Sequence, residues 1–361
     1  MPAWFGDAGF RGPVRTTRRY RCARVKIDTA AAASPHMHAR EEMIPIHFID
    51  YEHGITAVDA EYGRPGVAAI HLLIERGRAA IVDTGTTHSV DGLMEVLTGR
   101  GIRPGDVDYV IVTHVHLDHA GGTGELMRRL PEARVVVHPR GARHLVDPDR
   151  LVAGVAAVYG AQETIRRFGQ IVPIAAERIM EAPDGLCLQL NGRELLCLDT
   201  PGHARHHICI FDRLSNGFFT GDTFGLSYRE FDTERGEFIF PTTTPVQFDP
   251  AALHGSIDRL VAMGPDQMFL THFGRVGNPA RMATDLHDCI DAFTSIARQA
   301  ADAGEQRHTQ IRDGLARVLL ERLTEHGCRL APDRILELLE MDIELNAQGL
   351  GVWLDSSGFA R

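Results

Sequence analysis

The chain is short of the features that mark secreted, membrane and nucleic-acid-binding proteins. Its six cysteines, at 22, 187, 197, 209, 289 and 328, include no C-x-x-C pair. Stretches such as Leu186-Cys187-Leu188 and Leu196-Cys197-Leu198 are apolar. The cysteines therefore read as buried free thiols in a reducing cytosol, not as a disulfide framework. No run is long and apolar enough to span a bilayer, and no apolar signal-peptide core is present. Excess positive charge is missing too. The formal net charge is −10, which argues against a nucleic-acid partner. No Ser/His/Asp or Cys/His nucleophile set stands out. The expectation from these absences is a soluble cytoplasmic protein with neither a membrane nor a nucleic acid as partner. Its 24% charged and 44% hydrophobic residues are ordinary for that class.

At 361 residues the chain can bury one or two cores. Residues 1–42 stand apart. They carry Arg11, Arg15, Arg18, Arg19, Arg21, Arg24, Lys26 and Arg40 against Asp7, Asp28, Glu41 and Glu42, a net +4 that leaves −14 for the remainder. They show no apolar periodicity and read first as a disordered extension; the alternatives are a translation artefact, with Met43 as the working start, and a functional basic arm. From residue 43 to 278 the chain is strand-rich. Apolar, β-branched runs predict strands at 44–49, 55–58, 69–74, 79–82, 107–112 and 135–137. A helix is expected over 90–97 and a short one over 125–130. Residues 141–181 read as partly helical. Asn191-Gly192, between 186–190 and 194–198, is the strongest hairpin signal. Strands follow at 209–211 and 218–220, then an irregular stretch over 224–250, then a last strand at 268–270. From 279 to 361 the pattern turns helical. Asn278 and Pro279 form a helix start. Apolar stripes run from Met282 to Ile296, from Ile311 to Leu323, and over Ile335, Leu336, Leu338 and Leu339. Such stripes pack against the main domain or a second subunit, so a homodimer is possible.

The stretch Thr113-His114-Val115-His116-Leu117-Asp118-His119 dominates what is present. Three imidazoles and a carboxylate fall within six residues, at the end of the strand Tyr109-Val110-Ile111-Val112, where α/β folds place their sites. Asp118 and His119 are expected on a turn after that strand. Imidazole and carboxylate suit zinc, iron and manganese. Three further strand ends deliver His203, Asp222 and His272.

With H-x-H-x-D-H at 114–119, T-P-G-H at 200–203, G-D at 221–222 and T-H at 271–272, the sequence resembles the metallo-β-lactamase-fold hydrolases. Among them it is most similar to the glyoxalase II-like branch. The resemblance covers about residues 44–277 and includes Val82-Asp83-Thr84-Gly85. It implies an α/β fold, an αββα sandwich, here with a C-terminal helical extension. It also implies two divalent metal ions, zinc first with iron or manganese as options. His114, His116 and His203 would bind one. Asp118, His119 and His272 would bind the other, with Asp222 bridging. Two such cations can hold a hydroxide and polarise the attacked bond. Asp118 is then a ligand that can also orient or accept the proton of that water. Asp83 is implied to hold a ligand imidazole or the site loop, and His207 to stand behind the ligands or face substrate. Tyr228 could hydrogen-bond a developing oxyanion or simply be packed in its loop. His206 reads as a solvent or core histidine, and His88 and His138 as structural.

The leading expectation is hydrolysis of an ester-like bond, a thioester or a lactone, in a small-molecule substrate. Phosphodiester chemistry in the same fold is disfavoured by the acidic balance. Di-iron oxygen-reducing relatives usually carry Glu where this chain has His116, while a mono-iron sulfur dioxygenase could use the same ligands. A binding module with a dead site would lack a ligand, and none is missing. β-Lactam hydrolysis fits the motifs less well.

Overall fold

Alternation along the β-branched runs decides how this molecule layers. The computed structural model describes residues 47–357 except 244–245. The expectations for residues 1–42, for Met43 as the start and for a strand beginning at 44 lie outside the described residues. In the first half, β1 (Phe48–Asp50), β2 (Ile55–Asp59), β3 (Ala69–Glu75), β4 (Arg78–Val82), β5 (Val107–Val112), β6 (Arg134–Val137) and β7 (Ile179–Glu181) form one sheet in that order. β1 to β4 are antiparallel neighbours and β4 to β7 parallel ones. Between these strands lie α1 (Val90–Gly99), α2 (Leu117–Ala120), α3 (Thr123–Arg129), α4 (Pro139–Val146), α5 (Asp149–Tyr159) and α6 (Ala161–Phe168).

The second sheet holds β8 (Cys187–Leu190), β9 (Arg193–Asp199), β10 (Ile208–Asp212), β11 (Gly217–Phe219), β12 (Gln267–Leu270) and β13 (Gly274–Gly277), ordered β13-β12-β11-β10-β9-β8. Asn191 and Gly192 both take positive φ, 49° and 95°, as the expected hairpin turn requires. Ala80, Val82, Ile111, Ile210 and Phe219 pack between the two sheets. Their strand neighbours Ile81, Val110, Cys209 and Phe218 point to the outer, helix-covered faces, because successive side chains alternate. The architecture is the expected αββα sandwich.

Helix α7 (Pro250–Ala262) precedes β12, and α8 (Pro279–Gln299), α9 (Arg307–Glu325) and α10 (Pro332–Ser357) follow β13. Asn278 caps α8 by accepting from the Arg281 amide, with Pro279 in the first turn. The stripes Met282, Leu286, Ile290 and Phe293, then Ile311, Leu315, Leu319 and Leu323, are fully buried. Among the described residues no helix is long and apolar enough to cross a membrane.

Three expectations need correction. The strand at 268–270 is not the last, because Gly274–Gly277 pairs antiparallel with it. Asp118 and His119 sit in the short helix α2, not on a turn. Cys187 is exposed, although Cys197, Cys209 and Cys289 are buried free thiols. Strand β8 alternates, so Leu188 and Leu190 face in and Cys187 faces out.

Candidate metal centre

Strand ends from both sheets meet at one edge of the sandwich. β4 leads to Asp83, β5 runs into Thr113 and His114, β9 leads to His203, β11 to Asp222 and β12 to His272. Two backbone bonds join the sheets there. Ile208 N donates to Thr113 O over 2.8 Å, and Ala69 N donates to Thr271 O over 2.8 Å. These bonds pair the backbone immediately before His114 and His272.

All seven residues expected to bind metal come together in two adjoining groups. His114, His116, His203 and Asp222 offer ligand atoms within 4.8 Å of one another, and so do Asp118, His119 and His272. His116 Nδ1 lies 2.9 Å from His114 Nε2 and 3.1 Å from His203 Nε2. Asp222 faces both groups. Its Oδ2 is 3.4 Å from His203 Nε2, while its Oδ1 is 3.2 Å from His119 Nε2 and 3.6 Å from His272 Nε2. Asp118 Oδ2 completes the second group, 3.6 Å from His272 Nε2.

The outward ring nitrogens fix the tautomers. His119 Nδ1 donates to Asp83 Oδ2 at 2.8 Å, His272 Nδ1 to Val67 O at 2.8 Å, and His203 Nδ1 to Thr242 O at 3.3 Å. Thr113 Oγ1 gives its proton to Asp83, so it accepts from His114 Nδ1 at 3.2 Å. Four Nε2 lone pairs therefore point inward at each other and at two carboxylates. Among these rings only His116, through Nδ1, has a nitrogen left to donate inward. His119 Nε2 and Asp222 Oδ1 are buried without a hydrogen-bond partner, which a native structure rarely leaves unexplained. Divalent cations fit this donor set.

Electrostatics favour the ligand forms of His114, His116, Asp118 and Asp222. Burial, then the neighbouring rings, hold His114 well below the usual histidine range and lower His116 to about 3. Burial opposes charge on Asp118 too, yet His119 and His272 win and lower it to about 2. For Asp222 the same contest with burial ends well below the carboxylate range, through His119, His203 and His272. Burial likewise opposes protonation of His119, but Asp222, Asp118 and Asp83 raise it well above its ordinary value. Facing carboxylates thus demand positive charge where the orphaned nitrogen sits.

Asp83 and His207 contact two of the expected ligand residues, His119 and Asp222. Asp83 is buried and sits at φ 59°, a backbone region most residues avoid. From there its carboxylate accepts from Thr113 N, Thr113 Oγ1, His119 Nδ1 and Thr271 Oγ1, all within 2.8–3.0 Å. His207 Nε2 accepts from Asp222 N at 3.1 Å, and its Nδ1 faces Thr200 Oγ1 and Thr223 Oγ1. Gly221 makes this approach possible. A Cβ there would stand 2.6 Å from His207 Nε2 and 2.7 Å from Thr113 Oγ1.

The family model described as the metallo-beta-lactamase superfamily matches residues 63–272. The chain belongs to the metallo-beta-lactamase superfamily. It is 24% identical over 234 residues to the metallo-beta-lactamase fold-containing protein ST1585 of Sulfurisphaera tokodaii, covering 62% of this chain and 78% of that one. It is 30% identical over 139 residues to the acyl-coenzyme A thioesterase MBLAC2 of Gallus gallus, covering 36% of this chain and 46% of that one. The match to the chicken protein thus spans less than half of its length. The crystal structure of a metallo-beta-lactamase family protein, TTHA1429 from Thermus thermophilus, superimposes with a TM-score of 0.59 at 21% identity, covering 84% of this chain and 94% of that one. This last likeness concerns the fold.

In this superfamily member, His114, His116 and His203 would hold one ion, and Asp118, His119 and His272 the other, with Asp222 placed to serve both. Bound there, divalent cations supply Lewis-acid activation of water and of the attacked bond. Asp118 is half-buried and lines a cavity of about 340 Å³ beside the cluster, so its carboxylate can orient a water molecule or take its proton.

The cavity also brings in Asp342, which the sequence reading passed over. Tyr228 lines the cavity, fully buried, but its hydroxyl donates to Asp342 on α10. The phenol proton is therefore committed to a carboxylate instead of pointing freely at an oxyanion. His206 is buried and faces the cavity with Nδ1 unpartnered. His88 bonds to Arg166 O and His138 accepts from Arg140 N at the start of α4, as structural histidines do. The sequence signal for Asp342 is the pair of polar residues, Asp342 and Asn346, interrupting the buried stripe of α10.

Proposed function

We propose that this chain is a dinuclear metal-dependent hydrolase of an ester-like bond, a thioester first and a lactone second, of the glyoxalase II-like type. The observation that carries the reading is Asp222, whose two carboxylate oxygens face separate ligand groups. Its charge would offset repulsion between two cations, zinc being the first choice for this donor set. The thioester preference draws on the chicken acyl-coenzyme A thioesterase and on an atrochrysone carboxyl ACP thioesterase of Pseudocercospora fijiensis, 26% identical over 154 residues. In the reaction, the oxygen of water bonds to the acyl carbon and the carbon–sulfur bond breaks. The electron pair leaves on sulfur, which is protonated, and a carboxylate and a proton are released.

The test is elemental analysis of untagged protein followed by a panel of thioesters, lactones and phosphodiesters. Turnover of a thioester or lactone that disappears after chelation and dialysis, and returns with added metal, is the expected result. Full activity of the metal-free protein would overturn the reading, as would turnover of phosphodiesters alone.

A further inference from the structure

The cavity beside the metal cluster is apolar along most of its wall. Val115 and Leu117 line it near the cluster, Leu151 and Val155 from α5, and Met341 and Leu345 from α10. Helix α5 has no fully buried residue, so its apolar side chains are covered only in part. At the mouth, Val158 is 48% and Val246 70% exposed. Apolar side chains left open beside a reaction centre mark a place for an apolar ligand.

Charge at the same mouth runs against the chain's acidic balance. Arg150 lines the cavity directly. Arg143 Nε lies 3.3 Å from the cavity-lining His144 Nε2, and Arg140 Nη1 donates to Arg205 O at 3.3 Å. Arg205 N in turn donates to the cavity-lining Gln247 at 2.9 Å. All four arginines are exposed, and none forms an ion pair with a described residue. Elsewhere Arg64, Arg78, Arg100, Arg129, Arg167 and Arg193 are each held by a carboxylate. Asp147 lies between α4 and α5 and Asp149 opens α5, where Asp147 Oδ1 accepts from Asp149 N. Guanidinium groups without carboxylates are free to form paired hydrogen bonds to phosphate.

We propose that the substrate is an acyl group carried on a phosphate-bearing thiol, its acyl chain in the apolar cavity and its phosphates on Arg140, Arg143, Arg150 and Arg205. This rests on the thioester reading above and adds a second anchor outside the metal cluster. The two anchors would hold the thioester between them, at the edge where Asp118 and Asp222 line the cavity. Binding through exposed arginines weakens with salt, because screening acts over about 8–10 Å at ordinary ionic strength.

The test compares one acyl group on coenzyme A and on N-acetylcysteamine, which lacks phosphate. Wild-type enzyme should show a KM for the coenzyme A ester at least tenfold lower. In Arg143→Glu/Arg150→Glu that advantage should fall tenfold or more, and in Arg312→Glu/Arg317→Glu, on α9, it should stay. Added salt should raise the KM of the coenzyme A ester and not that of the other. Equal KM values for the two esters in the wild type, or an advantage untouched by Arg143→Glu/Arg150→Glu, would overturn the proposal. Calorimetric binding of coenzyme A itself separates the two readings. Binding lost in the double variant, with no thioester hydrolysed, keeps the phosphate site and removes the thioesterase reading. Thioester hydrolysis without any binding of coenzyme A does the reverse.

Discussion

The Tyr228 hydroxyl lies 3.1 Å from each carboxylate oxygen of Asp342, a residue 114 positions later on α10. Both side chains are buried and both line the cavity. One turn further along the same helical face, Asn346 accepts from Thr243 N at 2.6 Å and from Thr243 Oγ1 at 2.8 Å. The C-terminal helix is thus tied by polar contacts to the stretch between β11 and α7, which also supplies the Thr242 carbonyl behind His203. Truncation before Pro332 removes Asp342, Asn346 and one cavity wall. It also uncovers the α9 face, because α9 and α10 pack together and their Leu315, Leu319, Leu339 and Leu350 belong to one buried core. The truncated chain is expected to aggregate or to lose substrate preference. A soluble truncated monomer with unchanged kcat/KM would contradict this.

Replacing Tyr228 with Phe tests the same link more gently. It removes the donor and leaves a buried carboxylate in need of one. The cost should be about 1–3 kcal/mol, read as a drop in the urea midpoint with unchanged m-value. Metal content should stay as in the wild type, because Tyr228 is not among the grouped ligands.

Asp342 also makes a pH-dependent prediction. Burial raises its carboxyl to about 6 from an ordinary 3.8, against lowering by His272, Tyr228 and Arg64, with Asp222 adding to the rise. A group raised in the folded state favours folding when protonated. That advantage is full below about pH 4 and is lost as pH rises through about 6. The difference amounts to roughly 3 kcal/mol, as an order of magnitude. Asp342→Asn carries no charge at either pH. Measured on chelated proteins, its stability relative to the wild type should therefore increase by about that amount between pH 4 and pH 7. A difference constant across that window would show that the carboxyl titrates normally.

How much of this was legible in sequence depends on whether the cause was local. The strands were read from alternation in β-branched runs, and β13 was missed because Gly274-Arg275-Val276-Gly277 offers only one β-branched residue. Its strand exists because β12 presents an edge to pair with. The ligands were legible because imidazoles and carboxylates follow strand ends in order. Thr113 and Thr271 stood in the quoted motifs, yet their role was not visible. Their hydroxyls matter only because Asp83, far from Thr271 in the chain, accepts from both. Cys187 and Cys197 looked alike within their Leu-Cys-Leu triplets, and only strand register separates the exposed one from the buried one. The cavity wall from α5 and α10 has no signature that distinguishes it from an ordinary apolar stripe.

Asp83 supports the centre without lining the ligand groups. It orients His119 and gathers Thr113 and Thr271. Asp83→Ala should weaken metal binding about 10–100-fold, in the way removal of such supporting carboxylates does. The expected pattern is a metal content restored by excess ion and lost on dilution. Competition titration with a chromophoric chelator measures it, and an affinity equal to the wild type would assign Asp83 to the backbone turn alone.

Asp222 decides how many ions the centre holds. Its backbone amide is fixed by His207, its preceding glycine admits the close approach, and its two oxygens face different ligand groups. His272 faces Asp118 and the Oδ1 side of Asp222, and its Nδ1 is committed to Val67 O. Loss of His272 should therefore empty one group and spare the other, whereas loss of Asp222 weakens both. Wild-type protein is expected to hold about two ions per chain, His272→Ala about one, and Asp222→Ala at most about one with strongly reduced turnover. Elemental analysis on folded, dialysed protein, with circular dichroism as a check on folding, reads all three. A wild-type stoichiometry of about one, unchanged by His272→Ala, would instead mean a mononuclear centre built on His114, His116 and His203.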